Sequence, residues 1–409
     1  MDTTTSNAPR RDENIGHIRK FALTTALCLM GDSMLYIALP MYYAQAGLNS
    51  LWEVGIVLAA NRIVRIPLNP LIGRLYDRIS ERTGVLIAVL LAIATTFSYG
   101  FLPSLAWWIL ARCCWGLAWV LLRLGSLFCI LRLSTQETRG RYTGTYNGLY
   151  RLGSLVGMLA GGLLSDLVGL QVCAVVLGIG STIALVPTLL WFPKGKGGQP
   201  REHGPTLRQA LPLLKADGKA LVTVLSGGMM ALLVQGVVAA TLSRLIGVHV
   251  PGGLTLWGWV AGAATLAGLF QALRWTFEPA LAPRVGRLAD MRYGWKRIYQ
   301  WSYGFGGLVF FALTLSLPLP IWFALILALQ VSAMAMTTMS DTGVSDVASH
   351  GMGNSLLIVY AVAVDLGSAL GPPLAFALDD RWGVDSGYLA SAMCCFVLYF
   401  VWQRMARSG

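Results

Sequence analysis

The sequence predicts an all-α membrane protein with twelve transmembrane helices in two pseudo-twofold-related six-helix bundles. Three observations carry this. First, 56% of the 409 residues are hydrophobic and only 12% are charged, about half the roughly 25% charge of a soluble domain. Second, the apolar residues come in windows of about 20, the length a helix needs to cross a hydrocarbon core about 30 Å thick. Third, sequence patterns in the first half recur in the second. Together they exclude a soluble enzyme, a disordered chain and a collagen- or coiled-coil-like fibre.

The windows lie near 20–46, 52–73, 84–103, 105–131, 142–165, 170–192, 220–246, 254–283, 298–317, 319–345, 353–378 and 384–403. Basic residues sort by connection. Alternate loops and the two tails carry clusters such as Arg74, Arg78 and Arg82, Arg132, Arg139 and Arg141, and Arg284, Arg287, Arg292, Lys296 and Arg297; the loops between them hold only Arg244 and Arg381. The positive-inside rule then puts both termini in the cytoplasm, at the plasma (inner) membrane, and requires an even number of spans. The formal net charge of +12 is therefore a topology signal. It lacks the basic and aromatic interleaving of a nucleic-acid surface, so lipid and a small molecule are the expected partners of a monomeric chain. The seven cysteines lie in apolar runs without a CxxC and read as small buried side chains. The polar first twenty residues show no cleavage site and are expected to be retained.

The stretch 193–219 is polar and rich in Gly, Pro and Lys. It reads as a cytoplasmic linker between an N-terminal bundle, 1–192, and a C-terminal bundle, 220–409. The halves repeat: Pro70-Leu-Ile-Gly-Arg-Leu-Tyr-Asp77 recurs as Pro283-Arg-Val-Gly-Arg-Leu-Ala-Asp290 at an offset of 213, and Gly153-Ser-Leu-Val-Gly157 as Gly367-Ser-Ala-Leu-Gly371 at 214. Two matches at nearly one offset point to two copies of one bundle, a common construction of secondary transporters.

The loop after helix 2 carries Gly73-x-Leu75-x-Asp77-Arg78-x-x-x-Arg82, and its repeat carries Gly286-x-Leu288-Ala289-Asp290-x-x-Gly294-x-Lys296-Arg297. Both resemble the signature loop of the major facilitator superfamily (MFS), which latches the cytoplasmic side. Over nearly its whole length the chain is similar to that superfamily, and in its motifs to the drug/proton antiporter-type exporters. Arg112-x-x-x-Gly116 resembles a motif tied to proton coupling, with Trp115 where the family has Gln. Gly144 and Gly153-x-x-x-Gly157-Met158-x-x-Gly161-Gly162 resemble the antiporter motif, with Met158 in place of Pro. Small residues at this spacing also serve close helix packing.

Within the spans lie Arg62, Arg65, Arg112, Arg123, Arg151 and Arg274, with Asp32, Glu278 and Asp365, and Asp341 nearer a helix end. One mid-bilayer arginine costs about 2.5–3.5 kcal/mol on insertion scales, so these groups are expected to pair or to face a wet cavity. Helical spacing puts Asn61, Arg62, Arg65 and Asn69 on one stripe of helix 2, and Arg112, Gly116, Trp119, Arg123 and Ser126 on one stripe of helix 4. Asp32 and Tyr36 share a face of helix 1. The resemblance implies that helices 1, 4, 7 and 10 line the cavity and that helix 2 abuts 11 and helix 5 abuts 8. The repeat maps Arg65 onto Glu278 and Arg151 onto Asp365, so Arg65–Asp365 and Arg151–Glu278 are expected as mirror-related interdomain pairs. The alternative is that Glu278 or Asp365 itself exchanges protons. Asp32, with Arg112 and Arg123 on the neighbouring cavity helix, is the leading proton carrier.

The surplus of interior arginine favours an anionic substrate. Tyr36, Arg62, Trp115, Trp119, Arg123, Arg274 and Trp275 are its expected contacts, and Met334, Met336 and Met339 supply adaptable apolar surface. No cofactor or metal is expected beyond coupling protons. HExxH, GxSxG, Walker A and clustered His/Cys patterns are missing, and His17, His203, His249 and His350 are scattered, so the chain is not expected to be an enzyme. Two transport readings remain: a proton-coupled antiporter exporting a small amphipathic or anionic molecule, and a symporter or facilitator importing an organic anion.

Overall fold

The computed structural model describes residues 8–102, 104–135, 138–191, 212, 214, 217–256, 259–349 and 353–407. It is almost wholly helical. In the first half α1 is Ala8–Tyr42, α2 Leu51–Ile63, α3 Arg65–Tyr76, α4 Glu81–Ser98, α5 Leu105–Leu133, α6 Arg139–Ser181 and α7 Leu185–Trp191. In the second, α8 is Gly218–Met230, followed by a π-helical turn Ala231–Val238, α9 Ala239–His249, α10 Ala263–Leu288, α11 Trp295–Ala312, α12 Leu319–Val347, α13 Gly353–Trp382 and α14 Val384–Arg407. Eight helical stretches among the described residues are long and apolar enough to cross a membrane. Most of the linker expected over 193–219 lies outside the described residues.

Local sequence explains the breaks. The apolar window 52–73 is two helices meeting at Val64, because Pro67 lacks an N–H and its ring crowds the carbonyl of Ile63. The windows 142–165 and 170–192 join in α6 through one non-helical residue, Gly169, whose φ of 84° and ψ of 164° suit only a residue without a side chain, and the second passes through a 3-10 turn, Thr182–Ala184, into α7. The window 254–283 opens with an antiparallel hairpin, Leu254–Leu256 with Trp259–Ala261, before α10 begins. Side chains start three helices: Ser50 accepts from the Glu53 N–H, Ser80 from that of Thr83, and Asp217 from those of Lys219 and Ala220, meeting donors that the first turn leaves open.

Close packing follows the repeat. Gly153, Gly157 and Gly161 of α6 sit against Ala26, Met30 and Met34 of α1, where a Cβ would have no room. In the second half Gly367 and Gly371 of α13 sit in the same way on Gly228, Leu232 and Gly236. Between the halves, Gly268 of α10 lies on Met158, and Gly55 of α2 lies on Pro372 and Pro373. Gly55 and Gly268 are 213 apart, and Met158 and Pro372 are 214 apart, so these seams are images under the twofold relation. Gly144 is a correction: nothing lies within reach of it, and it packs against no helix.

The two halves meet mainly at the end carrying Tyr42, Leu51 and Ala263. There α2 packs on α13, α6 on α10 and α1 on α9. Ile37 and Met158 join the core of the second half, and Ala240 and Phe376 join that of the first. Toward the opposite end, where α1 begins and α14 ends, α3 packs on α5 of its own half.

Candidate functional site

Midway along the seam the interior charges gather in two clusters. In the first, α1, α2 and α5 bring together Asp32, Asn61 and Arg112. Arg112 Nη1 forms an ion pair with Asp32 Oδ1, and Asn61 Nδ2 donates to the same oxygen at 3.4 Å. Arg112 Nε donates to the Val57 carbonyl at 3.3 Å. The Arg112 side chain is 0% exposed. Next to this pair, Arg62 Nε donates to the Tyr36 hydroxyl at 3.1 Å. Arg65 does not pair with Asp365, contrary to the sequence expectation. Its guanidinium lies 5.3 Å from the Trp119 ring centroid and its Nε meets no hydrogen-bond partner.

In the second cluster, α6 and α10 supply Arg151, Arg274, Trp275 and Glu278. Glu278 sits between two arginines: Arg151 Nη1 is 3.1 Å from Oε1 and Arg274 Nε is 3.5 Å from Oε2. Both guanidiniums flank Trp275, at 5.2 and 5.5 Å from its ring centroid. The Arg151–Glu278 contact expected from the repeat is thus present between the halves. Asp341 of α12 lies nearby, accepting from the Tyr360 hydroxyl at 2.8 Å, and Ser340 shares that hydroxyl at 2.9 Å. Tyr360 and Ser340 were not singled out from the sequence, because a lone Tyr or Ser on an apolar helix carries no pattern. The clusters are themselves related: Asn61, Arg62 and Arg65 stand 213 residues before Arg274, Trp275 and Glu278.

Other expected residues fall elsewhere. Trp115 is 1% exposed within the core of the first half and does not line the cleft. Met336 and Met339 are likewise buried in the second core, and Met334 is buried as well. Arg123 is exposed, outside the Asp32 network. In the motif loops, Arg82 Nη2 donates to the Leu189 carbonyl of its own half at 2.8 Å, Gly73 and Gly286 have open space around them, and Arg78, Asp290 and Arg297 are exposed while Asp77 and Lys296 are half-buried. Among the described residues no three His, Cys, Asp or Glu side chains are grouped to hold a metal.

Five arginines (Arg62, Arg65, Arg112, Arg151 and Arg274) face four acids (Asp32, Glu278, Asp341 and Asp365), leaving the mid-membrane seam positive by one charge. Arg62, Arg65, Trp119, Arg151, Trp275, Glu278 and Asp365 each keep part of their surface exposed. A seam with charged, partly wet side chains midway along apolar helices is a pathway for a solute, since lipid would not tolerate it. Repeated helical bundles around such a seam define a membrane transporter. The comparisons give the family: residues 21–372 match the Major Facilitator Superfamily, and the chain belongs to it. Its apolar helices are those of a multi-pass membrane protein of this family.

Relatives are distant. The chain is 28% identical over 200 residues to the MFS-type transporter calB of Penicillium decumbens and 28% identical over 151 residues to the staphyloferrin B transporter of Staphylococcus aureus (strain NCTC 8325 / PS 47). The matches cover 49% and 36% of this chain, and 35% and 36% of those relatives' own length. Among solved structures, a POT family transporter in complex with 5-aminolevulinic acid aligns with a TM-score of 0.76 at 13% identity, over 97% of this chain and 96% of that one. A bacterial homolog of the human lysosomal transporter Spinster, inward-facing and unoccupied, aligns at 0.72 and 14%, over 98% and 96%. The nucleoside transporter NupG aligns at 0.74 and 15%, over 95% and 98%. At these identities the likeness is one of fold.

Proposed function

We propose that the chain is a proton-coupled secondary active transporter working by alternating access, an antiporter that exports a small amphipathic or anionic organic molecule. The observation that carries this is the buried Asp32–Arg112 pair beside Arg62, Arg65 and Tyr36. A carboxylate held by a permanent cation at the edge of a wet seam can take up a proton when that cation turns to an anionic ligand, so substrate and proton compete for one network. Trp119 and Trp275, each beneath an arginine, offer flat apolar surface to the body of the molecule. On this reading residues 1–192 and 220–409 are the moving bundles, 193–219 the linker, both termini are cytoplasmic, the membrane is the plasma (inner) membrane, and the monomer is the working unit. The seam, which opens toward the termini, is then inward-facing.

The arginine surplus favours a second reading, a symporter or facilitator bringing an organic anion inward. One assay separates them. Metabolites released by expressing and null cells nominate substrates, which are then tested in proteoliposomes under an imposed pH gradient. Antiport moves protons against the substrate's direction and symport with it. A flux indifferent to the gradient would remove proton coupling from the proposal.

A further inference from the structure

At the face where the halves meet, two contacts between them are of one kind: a carboxylate of one half caps the start of a helix in the other. Asp166 of α6 accepts on Oδ2 from the Thr265 N–H at 2.8 Å and from the Thr265 hydroxyl at 2.6 Å. Thr265 is in the first turn of α10, whose N-cap, Gly262, has no side chain to offer. Asp380 of α13 accepts on Oδ2 from the Trp52 N–H at 3.0 Å, in the first turn of α2. Here Ser50 serves the Glu53 N–H and Asp380 serves the one before it. First-turn N–H groups have no partner within their helix and carry its partial positive charge.

The two contacts are images of each other. Thr265 follows Trp52 by 213 residues and Asp380 follows Asp166 by 214, the offsets that relate the packed glycines. Each acidic stretch is also tethered inside its own half. The Tyr42 hydroxyl at the end of α1 donates to Asp166 Oδ1 at 2.6 Å, and Arg244 Nε of α9 donates to Asp379 Oδ2 at 3.2 Å. Tyr42 and Arg244 are 202 apart, as are Ala26 and Gly228 in the helix packing.

We propose that Asp166 and Asp380 are twin latches that hold this face of the transporter shut, and that they position the halves for the step in which the face opens. The inference rests on the alternating-access reading. One latch secures the α6–α10 seam and the other the α2–α13 seam, on either side of the twofold, so neither seam can hinge about the other. A carboxylate on a helix end suits repeated use: it is charge-assisted and directional while made, and on separation both the acid and the N–H groups are readily solvated. The glycine and proline seams alongside supply shape without polarity.

The test reads distance and needs neither substrate nor gradient, so it fails or succeeds apart from the transport assay. Spin labels at Phe101→Cys and Leu315→Cys, both exposed and one in each half, report the opening of this face by pulsed dipolar spectroscopy, with the native cysteines replaced. In Asp166→Ala/Asp380→Ala a longer-distance population is expected to grow about tenfold relative to the closed one, and about three- to fivefold in each single variant, the scale of losing one cap. Asp166→Asn/Asp380→Asn keeps a capping oxygen and is expected to stay close to the parent. A pair within one half, Val248→Cys with Leu315→Cys, holds its distance in any folded variant and identifies those to be scored. A distribution unchanged in the double alanine variant overturns the proposal, as does an asparagine variant that opens as far as the alanine one.

Discussion

Arg112 is an arginine with none of its side chain exposed, and its charge is tolerated because Asp32 answers it and the Val57 carbonyl accepts from Nε, while Nη2 meets no partner; Asn61 donates to the same Asp32 oxygen. Breaking such a pair from one side costs about 3–5 kcal/mol, since the remaining charge stays buried. Asp32→Asn is therefore expected to lower thermal stability and to abolish uphill transport driven by a pH gradient, while exchange of labelled substrate across the membrane continues. Gradient-driven flux that survives in Asp32→Asn removes this acid from coupling. The tryptophans divide differently. Trp115→Ala empties a core position and is expected to cost about 3–5 kcal/mol of stability, read as a lower melting temperature. Trp119→Ala removes the ring beneath Arg65 and is expected to weaken substrate affinity several-fold with little change in melting temperature. From sequence the stripes of helices 1 and 4 set Asp32 opposite both Arg112 and Arg123 and did not choose between them; the structure pairs it with Arg112. The helix-4 stripe carried Trp119 and not Trp115, yet both were expected to meet substrate, because an aromatic near a stripe gives no sign of the neighbour waiting there.

At the scale of helices, the glycine series of α6 serves contact. Gly153, Gly157 and Gly161 recur at one turn each and bring α1 to backbone distance. Gly157→Leu is expected to prevent close approach of the two helices and to abolish recovery of a monodisperse protein from detergent. Gly144→Leu, at a position with open space, is expected to leave yield and melting temperature unchanged. The four-residue spacing was legible as packing, but the inclusion of Gly144 was not correct. Nine residues at about 100° each turn it about 180° from Gly153, to the opposite face of the helix. The break of the second apolar window at Val64 was legible too, in Pro67, yet a window average conceals a proline among apolar neighbours. The run of α6 through Gly169 had no such sign, since a glycine flanked by apolar residues reads equally as packing or as a bend.

At the scale of the whole molecule, the two seams related by the repeat are not in the same state at mid-membrane. Arg151 and Glu278 are paired across one, while Arg65 and Asp365 across the other are not. Repeat offsets predicted both contacts because they encode which residues correspond, and a correspondence holds for every conformation of the cycle. The particular conformation is set by small differences between two closures of similar energy, which no spacing in one chain records. If the halves rock about the seam, closing the end near the termini brings Arg65 and Asp365 together as Asp166 and Asp380 release theirs. Arg65→Cys/Asp365→Cys should then be joined by a short bismaleimide slowly in the parent and several-fold faster when Asp166→Ala/Asp380→Ala is added. Reversing Arg151 and Glu278 together should restore part of the transport lost in either single reversal, since the surviving contact needs opposite signs and not a particular order. Cross-linking rates that ignore the latch variants would mean that the two ends of the seam move independently, and a rigid rocking of the halves would no longer describe this transporter.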